Sequence, residues 1–155
     1  MFTYEPSKDL FIVRFILTHP KIYGRASDDF APPRGEFQPR MDGITYVLLK
    51  RDGLHLGLWA LMPHSPVLWE VHTCLLPQAW GETAHEAVPG FLEWVWKSTT
   101  CKRLITSVPA FNRAALKFAK FAGMKEYGIN EDGFQKGNRL HNIHMLGISR
   151  PMEIS

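Results

Sequence analysis

The chain is short of several things that would have placed it quickly. Its 155 residues contain two cysteines, Cys74 and Cys101. Neither lies in a His/Cys cluster at ligand spacing, so the sequence holds no zinc motif. The pair reads as reduced thiols in a cytoplasmic protein. No apolar run reaches the ~18 residues of a membrane helix. The N-terminal MFTYEPSKDL has no basic region followed by an apolar one, so no signal peptide is expected. There is no internal repeat and no low-complexity tract. The net charge of +3 is too small to argue by itself for nucleic acid. What is present is apolar: 45% hydrophobic and 12% aromatic residues, enough for a sizeable core in a single domain spanning residues 1–155.

One shortage is local. From Cys101 to Lys125 there is no acidic residue, while Lys102, Arg103, Arg113, Lys117, Lys120 and Lys125 are basic. A cation field of this kind attracts a polyanionic ligand. A solvated helix face gives the same pattern.

The β-branched and aromatic run Asp9 to Thr18 predicts a strand. A short polar helix is expected between His19 and Asp29. Phe30 to Gly43 holds three prolines and two glycines and reads as a loop long enough to rim a substrate site. Ile44–Lys50, Leu54–Met62 and Val67–Leu76 predict three strands in an antiparallel meander, with hairpin chemistry at Arg51-Asp52-Gly53. Val88, Phe91, Leu92, Val95 and Trp96 have helical spacing, with Pro89-Gly90 predicting a kink or a late regular start. Arg103–Val108 predicts a strand parallel to its predecessor, because a helix separates the two. Asn112 and Gly123 punctuate a helix from Arg113 to Ala122. Met124–Asn130 and His141–Ser149 predict two last strands around the turn-rich NEDGFQKGNR. The whole is α+β, a mixed sheet flanked by helices.

The connection after the third meander strand carries the chemistry. Gln78-Ala79-Trp80-Gly81-Glu82 leads into a helix predicted to begin near Thr83, where Thr83 and Glu86 have capping-box spacing. The first turn of a helix offers unpaired N–H groups and a positive dipole end, and phosphates settle there. Any strand-to-helix connection offers the same donors.

The order of elements resembles the GNAT superfamily of acyl-CoA N-acyltransferases. Gln78-Ala79-Trp80-Gly81-Glu82-Thr83 is similar to the family's Q/R-x-x-G-x-G/A pyrophosphate loop, with Thr83 in place of the last Gly or Ala. Asn112-x-x-Ala115 followed by Ala122-Gly123-Met124 resembles the family's stretch after the fifth strand. Single-domain members with His-Thr in the fourth strand also resemble proteins of phage and bacterial genomes. The resemblance covers roughly Leu54 to Ile148. It implies a mainly antiparallel sheet with splayed fourth and fifth strands, acetyl-CoA or another acyl-CoA as cofactor, and an amine acceptor that is a small molecule or a protein. No membrane partner is expected, nucleic acid is the less favoured partner, and a homodimer is left open. By resemblance, Leu75 and Leu76 would meet the pantetheine. Gly81, Glu82, Thr83 and Ala84 would meet the pyrophosphate, with Gln78 part of the motif. Asn112 would reach the cofactor arm beside its plain capping role, and Arg113, Lys117 and Lys120 would meet the adenosine phosphates. Glu82 and Trp80 depart from the family loop, one by its negative charge and one by standing where a basic residue is common.

Direct transfer from such a thioester needs a base for the ammonium proton and an acid for the leaving thiolate. Glu70, His72 and Cys74 alternate onto one face of the fourth strand, and Trp69, Val71, Thr73 and Leu75 onto the other. Glu70 stands about where some histone-type members carry a Glu base, and desolvation on a half-buried strand raises a carboxyl pKa toward useful values. His72 titrates near neutrality unaided. The plain alternatives are a surface ion-pair partner and a satisfied sheet histidine. The family's thiol-protonating Tyr, seven residues past the Asn, is replaced here by Ala119. Tyr127, Ser107 or water can substitute, although Tyr127 also reads as an ordinary strand aromatic. An acetyl-CoA-dependent N-acetyltransferase is therefore the leading reading. A catalytically silent GNAT-fold binding or assembly protein is the alternative, and a basic nucleic-acid-binding domain is the third.

Overall fold

The computed structural model describes residues 1–152. The elements run β1 (Phe2–Ser7), α1 (Leu10–Leu17), α2 (Pro20–Ala26), a 3-10 turn at Arg34–Glu36, β2 (Thr45–Arg51), β3 (Leu54–Pro63), β4 (Leu68–Leu75), a 3-10 turn at Pro77–Ala79, α3 (Glu82–Ser98), β5 (Arg103–Pro109), α4 (Arg113–Phe121), β6 (Lys125–Lys136) and β7 (Arg139–Ser149). They form one seven-stranded sheet in the order β1-β2-β3-β4-β5-β7-β6. Every pairing is antiparallel except β4 with β5.

Both faces of the sheet are covered. Along β2, Val47 and Leu49 point to one side and Tyr46 and Leu48 to the other, and all four are buried. The first side packs on α3, where Phe91 stacks on Trp59 with ring centroids 4.0 Å apart. The second side packs on α1 and α2 through Val13, Ile16 and Ile22. α3 runs from Glu82 to Ser98 without interruption at Pro89.

Three expectations change. Asp9–Thr18 is a helix. The Asp9 carboxylate accepts from the N–H groups of Phe11 and Ile12 and caps α1. Apart from Arg14 the helix is apolar, and exposed Leu10, Phe11 and Phe15 hide the i, i+3 spacing of buried Val13 and Ile16. The first strand is instead Phe2–Ser7, an edge strand on β2 that tolerates Pro6. The NEDGFQKGNR stretch is mostly strand. β6 and β7 continue through it with irregular register, and only Gly137 and Asn138, both at positive φ, make the turn.

That hairpin is tied to the segment after α2. The Asp29 carboxylate accepts from Gln135 Nε2 at 3.1 Å and from the N–H groups of Gly137 and Asn138 at 2.8 Å each. The Asp29 N–H donates to the Gln135 carbonyl, and Lys136 Nζ donates to the Ser27 carbonyl. The Asn138 amide, then Gln135 and Gly137, hold the Asp29 pKa below its usual value.

The parting of β4 from β5 positions the site. Their pairing covers Leu68–Arg103, Trp69–Leu104 and Glu70–Ile105 and then stops. Thr106 Oγ1 donates to the Val71 carbonyl at 2.8 Å, across the point of divergence. On its other edge β4 lies tight against β3. Gly57 has φ +137, and a Cβ there would come within 2.5 Å of Leu75 Cα and 2.6 Å of the Cys74 carbonyl. Gly57→Ala combines a strained backbone with a backbone clash and is expected to cost about 1–3 kcal/mol. Urea unfolding measures it, and an unchanged midpoint would show that β3 and β4 do not need this close approach.

Candidate active site

The divergence opens a cavity of about 730 Å³ between β4, β5, α3 and α4, with α2 at its rim. Trp59, Phe91 and Leu104 contribute apolar lining, and His72, Cys74, Thr106, Ser107 and Asn112 contribute polar groups or sulfur. Three cations line it, Lys21 and Arg25 from α2 and Lys117 from α4, and no carboxylate is among the described lining residues. His85 of α3 stacks on Phe121 of α4, with centroids 4.0 Å apart, and so joins the two helices.

The N-terminus of α3 opens at this cavity. Its N-cap is Gly81, at φ +81, without a side-chain hydrogen bond. Thr83 and Glu86 do not form the expected capping box. Thr83 Oγ1 lies 3.5 Å from an Arg51 nitrogen, and the Glu86 carboxylate pairs with the same guanidinium at 3.8 Å. The N–H groups of Gly81, Glu82, Thr83 and Ala84 have no protein acceptor among the described residues. Leaving such donors unpaired suits an anion.

Of the residues singled out in the sequence, His72, Leu75, Gly81, Ala84, Asn112 and Lys117 line the cavity. Asn112 Oδ1 accepts from the Ala115 N–H and caps α4. Gln78, Arg113 and Lys120 are exposed outside the lining. Leu76 is buried toward α1 and α2, and its N–H is spent on the Leu56 carbonyl. The side chains of Glu82 and Thr83 also lie outside it. Tyr127 does not reach it; its ring lies 5.6 Å from the Arg103 guanidinium. Lys21, Arg25 and His85 also line the cavity. The sequence signal for the first two is their i, i+4 spacing, which puts both on one face of the short polar helix.

Glu70 and His72 meet as their shared face requires. Each Glu70 carboxylate oxygen accepts from an imidazole, Oε2 from His72 Nε2 at 2.5 Å and Oε1 from His64 Nε2 at 2.9 Å. The expectation of a raised pKa fails here. The His72 hydrogen bond is the largest influence; burial opposes it, but His64 adds to it, and the Glu70 pKa falls to about 2. Glu70 is thus a fixed carboxylate and a poor proton acceptor at neutral pH. A neutral His72 that donates from Nε2 keeps its lone pair on Nδ1. Burial pushes the Cys74 thiol up to about 12 and the Cys101 thiol up to about 11, so neither is a ready thiolate.

The sequence pattern of the Acetyltransferase (GNAT) domain matches residues 12–125. The chain belongs to the GNAT family. It thereby falls within a family of acyl-CoA-dependent N-acyltransferases. Among solved structures it is similar to a spermidine N-acetyltransferase from Vibrio cholerae in complex with CoA and spermine. The TM-score is 0.77 and the identity 14%, with 96% of this chain and 95% of that one covered. It is also similar to a GNAT-family acetyltransferase from Streptococcus pneumoniae, with a TM-score of 0.71, 14% identity and 97% and 100% coverage. At this identity the likeness is one of fold. No curated protein matches the chain significantly in sequence. The GNAT chain has no helix long and apolar enough to cross a membrane, and no group of three His, Cys, Asp or Glu side chains fit to hold a metal ion, among the described residues.

The lowered Glu70 pKa has a consequence for stability. The unfolded carboxyl takes up a proton near its ordinary pKa of 4.5, while the folded one resists until about 2. Its contribution is therefore present above pH 4.5 and is lost as the pH falls from 4.5 toward 2. Urea unfolding at stepped pH is expected to show a steeper acid loss in the wild type than in Glu70→Gln. Parallel curves would contradict the ion-paired carboxylate.

Proposed function

We propose that the protein transfers an acetyl group from acetyl-CoA to a primary amine by direct attack, with His72 as the base. The observation that carries this is the cavity at the parted strands, whose lining includes Gly81 and Ala84 from the start of α3 and His72 from β4. Its chemistry suits the cofactor. Three cations and no carboxylate fit a polyanion, and the apolar lining from Trp59 and Phe91 fits a pantetheine arm. Gly81, Glu82, Thr83 and Ala84 would hold the pyrophosphate through backbone N–H groups, and Lys117 would add charge.

Bound acetyl-CoA supplies an activated acyl thioester. His72 accepts the proton of the incoming ammonium at Nδ1, and the ionised Glu70 holds the ring and stabilises the imidazolium that results. His64 fixes the far side of Glu70. Ser107 lines the cavity, whereas Tyr127 does not, so Ser107 or water relays the second proton, released by the nitrogen as the C–N bond forms, to the thiolate left when the C–S bond breaks. The acceptor is a primary amine, and spermidine belongs in the first panel because a structural neighbour is named for it. A second reading, a catalytically silent GNAT-fold binding or assembly protein, rests on Ala119, buried on α4 where the family carries its Tyr. It predicts binding without turnover.

At a hundredfold excess over Kd, acetyl-CoA is expected to raise the melting temperature by about 5–10 °C. No shift at millimolar concentration sinks the enzyme reading. His72→Ala is expected to lower kcat by about 10²–10⁴-fold, with Glu70→Gln less severe. Turnover unchanged in both variants removes the base assignment, and binding with no turnover on any amine selects the silent reading.

A further inference from the structure

The family loop from Gln78 to Ala84 contains no basic residue, and Glu82 puts a negative charge within it. An indole, Trp80, occupies the position where a cation is common. The structure brings a cation there from another part of the chain. The Arg25 guanidinium of α2 lies over the Trp80 ring, 4.5 Å from its centroid. The indole is held in turn, because Trp80 Nε1 donates to the Leu75 carbonyl at 2.8 Å. Arg25, Trp80, Gly81 and Ala84 all line the same cavity.

We propose that Arg25, laid on the Trp80 indole, is a cofactor-binding residue that supplies to the acyl-CoA diphosphate the positive charge missing from the loop. This rests on the acyl-CoA reading above. A guanidinium held over an indole face does not spend its N–H groups on a hydrogen bond to the ring, and its planar fork suits two phosphate oxygens at once. Arg25 makes no ion pair or hydrogen bond through its side chain among the described residues, so nothing else occupies those donors. Lys21, one turn earlier on α2, lines the cavity without a side-chain partner there and adds a second positive charge. α2 is anchored for the task by Ile22, buried in the core beneath the sheet. The Trp80 departure then has a physical purpose, as a flat seat for a guanidinium that arrives across the cavity.

The test compares CoA with pantetheine, which has no phosphate, on the wild type, Arg25→Ala and Arg25→Lys. Calorimetry measures CoA, and ligand-observed NMR at millimolar concentration measures pantetheine. The expected result is a loss of CoA affinity of about tenfold or more in Arg25→Ala, since a charge-assisted bidentate contact is removed. Arg25→Lys is expected to fall between the two, because it keeps charge without the planar fork. Pantetheine affinity is expected to stay the same in all three, which also certifies the fold, and the salt dependence of CoA binding is expected to be shallower in Arg25→Ala. Equal CoA affinity in wild type and Arg25→Ala overturns the proposal while leaving the acyl-CoA reading standing. Equal weakening of CoA and pantetheine overturns it too, and makes Arg25 a structural support of Trp80. A wild type that binds no CoA overturns the acyl-CoA reading itself, and this inference with it.

Discussion

The structure depends on a parallel strand pair that fails after three residues. A sheet is held together by ladder hydrogen bonds, and buried backbone groups must find partners. β4 and β5 share a ladder only from Leu68 to Glu70. Beyond it the two strands turn apart, and their facing edges are left to the cavity. The Thr106 hydroxyl takes the Val71 carbonyl and the Trp80 indole takes the Leu75 carbonyl, so side chains close part of what the ladder leaves open. Gly57 has the opposite effect on the far edge of β4, drawing β3 in where a side chain would push it away. The strand is thus gripped on one side and released on the other. The helices after β4 and β5 then frame the gap, joined by the His85–Phe121 stack.

Electrostatics divide the surroundings of the cavity into two kinds of place, one on its lining and one behind His72. Around α2, α4 and the first turn of α3 there are cations and unpaired N–H groups. At β4 there is one carboxylate between two imidazoles. Glu70 shows how a short-range hydrogen bond can outweigh a desolvation argument. The group is partly buried, and burial alone would favour its neutral form, but two N–H donors at 2.5 and 2.9 Å favour the charged form more. The carboxylate then holds the neighbouring His72 ring through Nε2.

Legibility in the sequence followed the range of the interactions. The Gly-bearing turn after β4, the Asn112 cap and the alternation of Glu70 with His72 are local, and all are in place. The three-strand meander and the parallel β4–β5 pairing also follow from patterns of a few residues and the helix between them. α1 resembles a strand in the sequence because exposed apolar residues blur its period, and its clear local signal is the Asp9 cap. The capping box at Thr83 and Glu86 had the right spacing, but Arg51, some thirty residues away in the chain, claims both side chains. His64 reaches Glu70 only because the β3–β4 turn folds it back. Arg25 meets Trp80 across fifty-five residues of sequence, and no window along the chain holds that contact.

The Asp29 tether gives the cavity rim a mechanical character. α2 and the β6–β7 hairpin lie more than a hundred residues apart in the chain, and each alone would be a cantilever, free at its tip. Five hydrogen bonds between Ser27, Asp29 and the Gln135–Asn138 tip join them. The two become one closed frame. A load applied to α2 at Arg25 is carried across to the hairpin tip, and the compliance of the rim is set by this joint as much as by either arm.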